Sequence, residues 1–315
     1  MSLGYNEKIL LITMTSLTLI CILVSVYLVT NRILIQKIVR FQKVHVLDTT
    51  NSLRKNYALK YEKSIYNPPL DSSTTNPEQW NRIARDVSNL YDNYDKIIVV
   101  VGEDTLTYPA AALSFMLESL QKPIVVTSPK FLEKALEIKT NIPEVMVFNG
   151  KEYLRANRTY SPGQNVFLSD FPSLKGKNRL PKSDEPFKTY YLNSKLAISV
   201  IKIYPNMSLS YLSKLLETNV NVLILELWGP GEMTLSESFL QIIQALKEKG
   251  VLVVSNLAYN IKDSGIRNPQ LESIGVLFMN TTTEAAYSKI SFIFSNVEDK
   301  KLYYDLLSTS MRGEM

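Results

Sequence analysis

An α/β fold with parallel sheets, in two domains preceded by one transmembrane helix, is what this sequence predicts, and three observations predict it. Short apolar, β-branched runs alternate with amphipathic stretches, the pattern of β-α units whose strands pair in parallel. One such unit reads without a break from Ile97 to Thr127: strand, glycine, polar loop, helix, proline, second strand. Residues 9–31 carry no charge and are mostly Leu, Ile, Val and Thr, enough for the ~20 apolar residues that cross a bilayer core.

Residues 1–8 form a short tail in which Lys8 is opposed by Glu7. A cleaved signal peptide is the alternative for 9–31, but the run is too long for an h-region and no small-x-small site follows it. The run is therefore expected to be a retained anchor, spanning 9–31. Residues 32–43 carry Arg32, Lys37, Arg40 and Lys43 without an acid, a basic juxtamembrane linker. Positive flanks stay on the cytoplasmic or matrix side, so the globular part is expected there, with the mitochondrial inner membrane as a candidate location. Sequons start at Asn157, Asn206 and Asn280 and matter only in the opposite orientation. Thr13, Thr15, Ser16, Thr18 and Ser25 are the small or hydroxylated residues that let helices approach in lipid, so membrane lipid and other membrane subunits are the expected partners.

Composition excludes several classes. The 315 residues carry a net charge of +5, without a basic block interleaved with aromatics, so nucleic acid is not an expected partner. Cys21 is the single cysteine, which rules out an intrachain disulfide and a thiolate zinc site. No GxGxxG or P-loop pattern is present, and neither a cofactor nor a metal is expected.

The first domain is expected over 44–190. Val44 to Leu47 reads as a strand, followed by the polar turn Asp48-Thr49-Thr50-Asn51-Ser52. Leu53 to Pro69 is charged and tyrosine-rich and reads as loop or frayed helix. In 76–92, Trp80, Ile83, Val87 and Leu90 share one helical face behind Pro77. Ile97 to Val101 is an unbroken apolar strand of the kind buried on both faces, ended by Gly102. The loop Glu103-Asp104-Thr105 follows at its carboxyl end, where open α/β sheets place ligands. A helix from about Ala110 to Leu120, a strand from Ile124, a shortened helix over 130–139 and a strand over 145–148 complete the unit. Ser161 to Glu185 is rich in Pro, Ser, Lys and Gly and reads as loop. The second domain, 191–315, repeats the alternation: strands at 196–203, 220–225 and 251–255, helices at 209–217, 236–249 and 283–295, and 299–308 closing the chain.

Ordered motifs from about Val44 to Ser295 resemble the L-asparaginase family, nearest its type I branch. Pro69-Leu70-Asp71-Ser72-Ser73, with Pro77-Glu78-Gln79-Trp80, is similar to its PLLDSS…PEDW stretch. Gly102-Glu103-Asp104-Thr105 stands where that family has His-Gly-Thr-Asp-Thr, and Arg155-Ala156-Asn157-Arg158-Thr159 resembles its RGNRT run. Ile203-Tyr204-Pro205, Gly229-Pro230-Gly231 and Thr282-Thr283-Glu284-Ala285-Ala286 match further signatures.

The resemblance implies acyl transfer by a threonine in a Thr-Gly-Gly-Thr turn, aided by a second Thr, a Lys, an Asp and a tyrosine on a mobile lid. A hydroxyl needs such neighbours to lose its proton. Here the turn is Thr49-Thr50-Asn51-Ser52, so Ser52 keeps a hydroxyl at the nucleophile position while both glycines are replaced. Glu103 replaces the second threonine, and beside Asp104 it would repel a carboxylate substrate by several kcal/mol at about 4 Å and intermediate dielectric. Ser161 replaces the lysine. The segment from Ser52 to Asp71 is too short for the lid, leaving Tyr57 or Tyr61 as weak substitutes. Ser72 and Asp104 match the residues that hold the substrate's carboxylate and amino groups, although Ser72-Ser73 could equally cap the next helix. His45, the single histidine, reads as structural, and Trp80 as core.

The site thus predicts a degenerate, inactive centre at Ser52, Glu103 and Ser161, with amino-acid binding through Ser72 and Asp104 as a residual capacity. The leading expectation is a non-catalytic accessory or scaffold subunit of a membrane complex, with a mitochondrial inner-membrane assembly (respiratory chain or ATP synthase) as one setting. The alternatives are a membrane-anchored amidohydrolase using Ser52 and an amino-acid sensor.

Overall fold

The computed structural model describes residues 42–54, 61–169, 174, 179–227, 233–257 and 267–315, with residue 22 and residues 24–27. The expected membrane span otherwise lies outside the described residues, as do most of the basic linker, Tyr57 and Gly229-Pro230-Gly231. Ile22 and residues 24–27 are helical with exposed side chains. Among the described residues no helix is long and apolar enough to cross a membrane.

The first sheet takes strands β1 (Val44–Asp48), β2 (Glu62–Ile65) and β3 (Lys96–Val100), with helix α1 (Pro77–Tyr91) between the last two. Helix α2 (Thr107–Met116), β4 (Leu117–Glu118), β5 (Ile124–Thr127), α3 (Leu132–Glu137), β6 (Val145–Phe148) and β7 (Tyr153–Arg155) follow. The order is β2-β1-β3-β5-β6-β7, parallel except for the β6–β7 pair. Strand β3 lies inside the sheet and is buried along its whole length, Lys96 included, as the apolar run from Ile97 requires.

Helix α1 begins where its capping chemistry says. Asn76 accepts from the backbone of Glu78 and Gln79, the Gln79 side chain answers to the Asn76 N–H, and Pro77 fills the first turn. Ser72 and Ser73 therefore do not cap it. They lie in a separate 3-10 turn capped by Asp71. Trp80, Ile83, Ala84 and Val87 enter the core, and Trp80 is the core residue expected.

Helix α2 starts three residues before the expected Ala110, because Pro109 sits in the first turn, where its missing N–H is harmless. It also stops early: Leu117 and Glu118 become extended and pair with β10 (Lys188–Thr189) across the sheet's rim. Two further departures fall in expected loops. Glu62–Ile65 joins the sheet edge beside β1, and β8 (Tyr160–Gly163) pairs antiparallel with β9 (Val166–Leu168). Both segments are short and half exposed, so hydrophobic periodicity could not mark them.

The second sheet is four parallel strands in chain order: β11 (Ile198–Lys202), β12 (Val222–Leu227), β13 (Leu252–Leu257) and β14 (Leu277–Phe278). Helices α4 (Leu209–Lys214), α5 (Glu237–Glu248), α6 (Pro269–Ser273), α7 (Thr283–Asn296) and α8 (Tyr303–Ser308) accompany it, of which α6 and β14 have no counterpart in the periodicity. Helix α7 packs on α2, and Ile290 and Ile293 share one core with Leu113 and Phe115.

Two buried lysines have partners. Lys289 meets Glu314 at 2.8 Å with neither side chain exposed. Lys96 is 1% exposed and donates to the carbonyls of Ala135 and Ile138 at the end of α3, at 2.6 and 3.3 Å. Burial lowers its pKa from 10.5 to about 8. His45 is buried with Nε2 3.0 Å from Ser64 Oγ and its ring against Tyr94, a structural histidine.

Candidate functional site

Parallel pairing sets the site. Asp48 is in register with Val100, so the loops after β1 and β3 leave the same carboxyl edge side by side. Thr49 ties them together: its N–H and its hydroxyl both donate to the Val100 carbonyl, at 3.0 and 2.9 Å. The loop carrying Ser72 joins through the Leu70 N–H, which donates to the Thr49 carbonyl at 2.8 Å.

The turn at 49–52 is organised by Asp48, which is fully buried. Its carboxylate accepts from Thr50 N at 2.9 Å, Thr50 Oγ1 at 2.8 Å and Leu53 N at 2.9 Å. Asn51 takes φ +59°, so one of the two glycine positions keeps a left-handed backbone through asparagine, which tolerates it. The turn shape thus survives better than glycine loss implies. What changes is its chemistry. Ser52 is exposed and its Oγ lies 2.9 Å from Thr50 Oγ1. Thr50 Oγ1 has one proton to share between Asp48 Oδ1 and Ser52 Oγ, so the serine oxygen accepts from a neutral hydroxyl. Among the described residues no lysine, histidine or carboxylate bonds to Ser52 Oγ.

Ser72 and Asp104 are brought together: Ser72 Oγ donates to Asp104 Oδ2 at 2.9 Å. Thr105 Oγ1 donates to the Ser72 carbonyl and lies 3.2 Å from Thr75 Oγ1, stitching the two loops. Gly102 is needed for this approach, since a Cβ there would stand 2.5 Å from Ser72 Oγ. Glu103 turns the other way and accepts from Gln164 Nε2 at 3.2 Å, on the β8–β9 turn. Ser161 does not join either group; its hydroxyl donates within its own hairpin to the carbonyls of Gly163 and Val166, at 2.8 and 3.1 Å. Tyr61, the described candidate for a lid tyrosine, packs beside the core formed by Val46 and Ile98.

The second sheet adds polar groups that the sequence did not assign to the site. Thr283 Oγ1 donates to Glu226 Oε2 at 2.7 Å and accepts from Asn256 Nδ2 at 2.9 Å, joining the carboxyl ends of β12 and β13 to the start of α7. Glu284 accepts from Thr107 Oγ1 at 3.0 Å, and burial raises its pKa. Lys202 is 3.7 Å from Glu226. The signal for this network lay in the Thr282–Ala286 motif, and for Asp48 in a lone charge closing an apolar strand. Gln164 left none, because its loop folds back only in three dimensions.

As chemistry, the arrangement groups hydroxyls and carboxylates, and among the described residues no lysine or histidine bonds to Ser52 Oγ. It retains Ser72 and Asp104 at an open rim, one half-buried and the other exposed.

Comparisons with known proteins agree with this reading of the fold. A family model described as Asparaginase, N-terminal matches residues 31–162. L-asparaginase 1 of Escherichia coli (strain K12) is 30% identical over 281 residues, covering 79% of this chain and 83% of its own length. The 60 kDa lysophospholipase of Mus musculus is 25% identical over 283 residues, covering 79% of this chain and 50% of its own. Among solved structures, L-asparaginase I from Vibrio cholerae O1 superposes with a TM-score of 0.78 at 26% identity, over 87% of this chain and 99% of that one. The motifs, the two parallel sheets and these relatives agree that the chain belongs to the asparaginase family.

Proposed function

We propose that the chain is a non-catalytic asparaginase-fold protein held at a membrane, an accessory or scaffold subunit of a larger membrane complex. The observation that carries it is the bonding of Ser52: its hydroxyl faces only Thr50 among the described residues, while Glu103 and Ser161 are bound to other groups. Family membership supplies the fold, and function rests on the site. The anchor rests on the uncharged run over 9–31 and its basic flank, which orients the domain to the cytoplasmic or matrix side. The exposed apolar side chains of Ile22, Val24 and Val26 on a helix agree with that assignment. A mitochondrial inner-membrane assembly is one setting for such a subunit.

The test has two parts. Purified full chain releases no ammonia from asparagine or glutamine above background, and Ser52→Ala leaves that background unchanged. After digitonin extraction, native electrophoresis places the chain in a species far heavier than its own tetramer, with other polypeptides. Turnover that disappears in Ser52→Ala would promote the anchored amidohydrolase, and a monomer or pure homo-oligomer would remove the subunit reading. The Ser72–Asp104 pair favours one second reading, an amino-acid sensor, which calorimetry with aspartate or asparagine decides.

A further inference from the structure

A cleft of about 250 Å³ opens at the other end of the first sheet, away from the loops after β1 and β3. Its walls come from the end of α2 and β4, the start of β6, and the segments around Asn157, Leu180 and Arg312. One side is apolar, with Leu117, Val145 and Leu180. Its charges are already matched. Arg155 Nε donates to Glu144 Oε2 at 2.7 Å, and Arg312 Nη2 donates to Glu118 Oε1 at 2.7 Å. A charged ligand would have to break one of these pairs, so the site suits a neutral molecule.

Two cleft residues nevertheless keep unsatisfied polar atoms. Asn157 is 1% exposed; its Nδ2 donates to the Arg312 carbonyl at 3.0 Å, whereas its Oδ1 accepts nothing among the described residues. Arg312 Nε is likewise buried without an acceptor. Unpaired buried groups are uncommon and costly, and an unpaired acceptor together with an unpaired donor is the set that an amide complements. The cleft wall also holds Ser119 at φ +59°, a left-handed backbone that serine adopts at a cost and that clusters at ligand sites.

We propose that this cleft is a binding site for a small neutral molecule carrying an amide, whose N–H is accepted by Asn157 Oδ1 and whose C=O takes the Arg312 Nε proton. The apolar flank of the ligand lies on Leu117, Val145 and Leu180. The volume is below the usual range of drug-sized pockets, which limits the ligand to a lactam, a short carboxamide or a similar ring. Both unpaired atoms are shielded from solvent, so the wall must give on binding. The Arg312–Glu118 pair, with side chains 21% and 28% exposed, is the part free to move, whereas Arg155–Glu144 is sealed at 10% and 3%.

The experiment is titration of the full chain, methyl-labelled, with 2-piperidone, N-methyl-2-piperidone and valerate. The lactam shifts the methyl resonances of Leu117, Val145 and Leu180. N-methylation removes the N–H and weakens binding roughly tenfold or more. Valerate, similar in size but charged, produces no shift at these methyls. Ser183→Trp, which fills the rim, abolishes the lactam shifts with the remaining spectrum preserved. Absence of shifts with the lactam overturns the proposal. Equal binding of the N-methyl compound also overturns it, leaving a purely apolar cavity, as does lactam binding that survives Ser183→Trp. The comparison of the two lactams on the unaltered chain needs no variant to fold, and none of these outcomes depends on whether Ser52 is inactive.

Discussion

Ser72 Oγ donates to Asp104 Oδ2 across 2.9 Å, so the two residues matched to the family's ligand holders hold each other. The contact depends on backbone approach as much as on side chains. The Ser72 turn stands over Gly102, and Thr105 fixes the Ser72 carbonyl from below. A bound amino acid would have to compete with this bond, which makes the rim a weak holder unless ligand contacts exceed it.

Gly102→Ala is predicted to destabilise the protein by about 1–3 kcal/mol, since its Cβ would meet Ser72 Oγ at 2.5 Å and Ser72 Cβ at 2.6 Å. Ser72→Gly in the same chain removes both atoms. The double variant should recover most of the loss, with a coupling of about 1 kcal/mol or more between the sites. Urea midpoints of the four proteins measure the cycle, and additive losses would show that the clash is relieved elsewhere.

Asp48 is predicted to be the structural key of the turn. Asp48→Ala leaves the N–H groups of Thr50 and Leu53 without their acceptor and should cost about 2–4 kcal/mol. Asp48→Asn keeps one acceptor oxygen and should fall between. Ser52→Ala, at an exposed hydroxyl, should change the unfolding midpoint little. A larger loss at Ser52 than at Asp48 would contradict this division.

Lys96 predicts a pH dependence with a definite sign. Its pKa falls from 10.5 to about 8 on folding, so the unfolded chain binds more protons between those values. Stability should therefore rise with pH from about 8 to 10, by on the order of 2 kcal/mol from this group. The Lys96→Met variant should lack that component of the slope. Tyr153, pushed up to about 12, acts in the opposite direction above pH 10, which sets the upper end of the useful window. Equal slopes in the two proteins between pH 8 and 10 would assign the effect to other groups.

Asn206 reports orientation. It lies in an exposed turn, whereas Asn157 is buried and Asn280 keeps a shielded Oδ1. If the chain is anchored as proposed, with the basic flank on the cytoplasmic or matrix side, endoglycosidase treatment should leave its mobility unchanged. A mobility shift that is lost in Asn206→Gln would place the domain on the opposite face.

Much of the fold was legible because its signals are local. The run Ile97–Val101 is apolar at every position, and a strand buried on both faces needs nothing else. Pro77 and the spacing of Trp80, Ile83 and Val87 announce α1, and Asn76 and Gln79 cap it in the structure. The β2 edge strand and the β8–β9 hairpin were not legible, since their residues pair by backbone hydrogen bonds to segments already in place. The end of α2 was misread for the same reason: Leu117 and Glu118 continue the helical pattern, but pairing with Lys188 and Thr189 draws them into an extended path.

The site divides along the same line. The sequence by itself determined the chemistry available at each position: a serine hydroxyl at 52, carboxylates at 103 and 104, and no cation at 161. Those are identities, and they decide which protons and charges exist. Only the tertiary structure decided the partners, because a hydrogen bond's direction depends on where distant segments come to rest. Asp48 is a lone charge in the sequence and the buried centre of a turn in the fold. Glu103 is bound to Gln164, 61 residues away, and Ser72 to Asp104, 32 away. Parallel strands carry no side-chain signal of their neighbours' register, so the loops that β1 and β3 place together become neighbours only when the sheet closes.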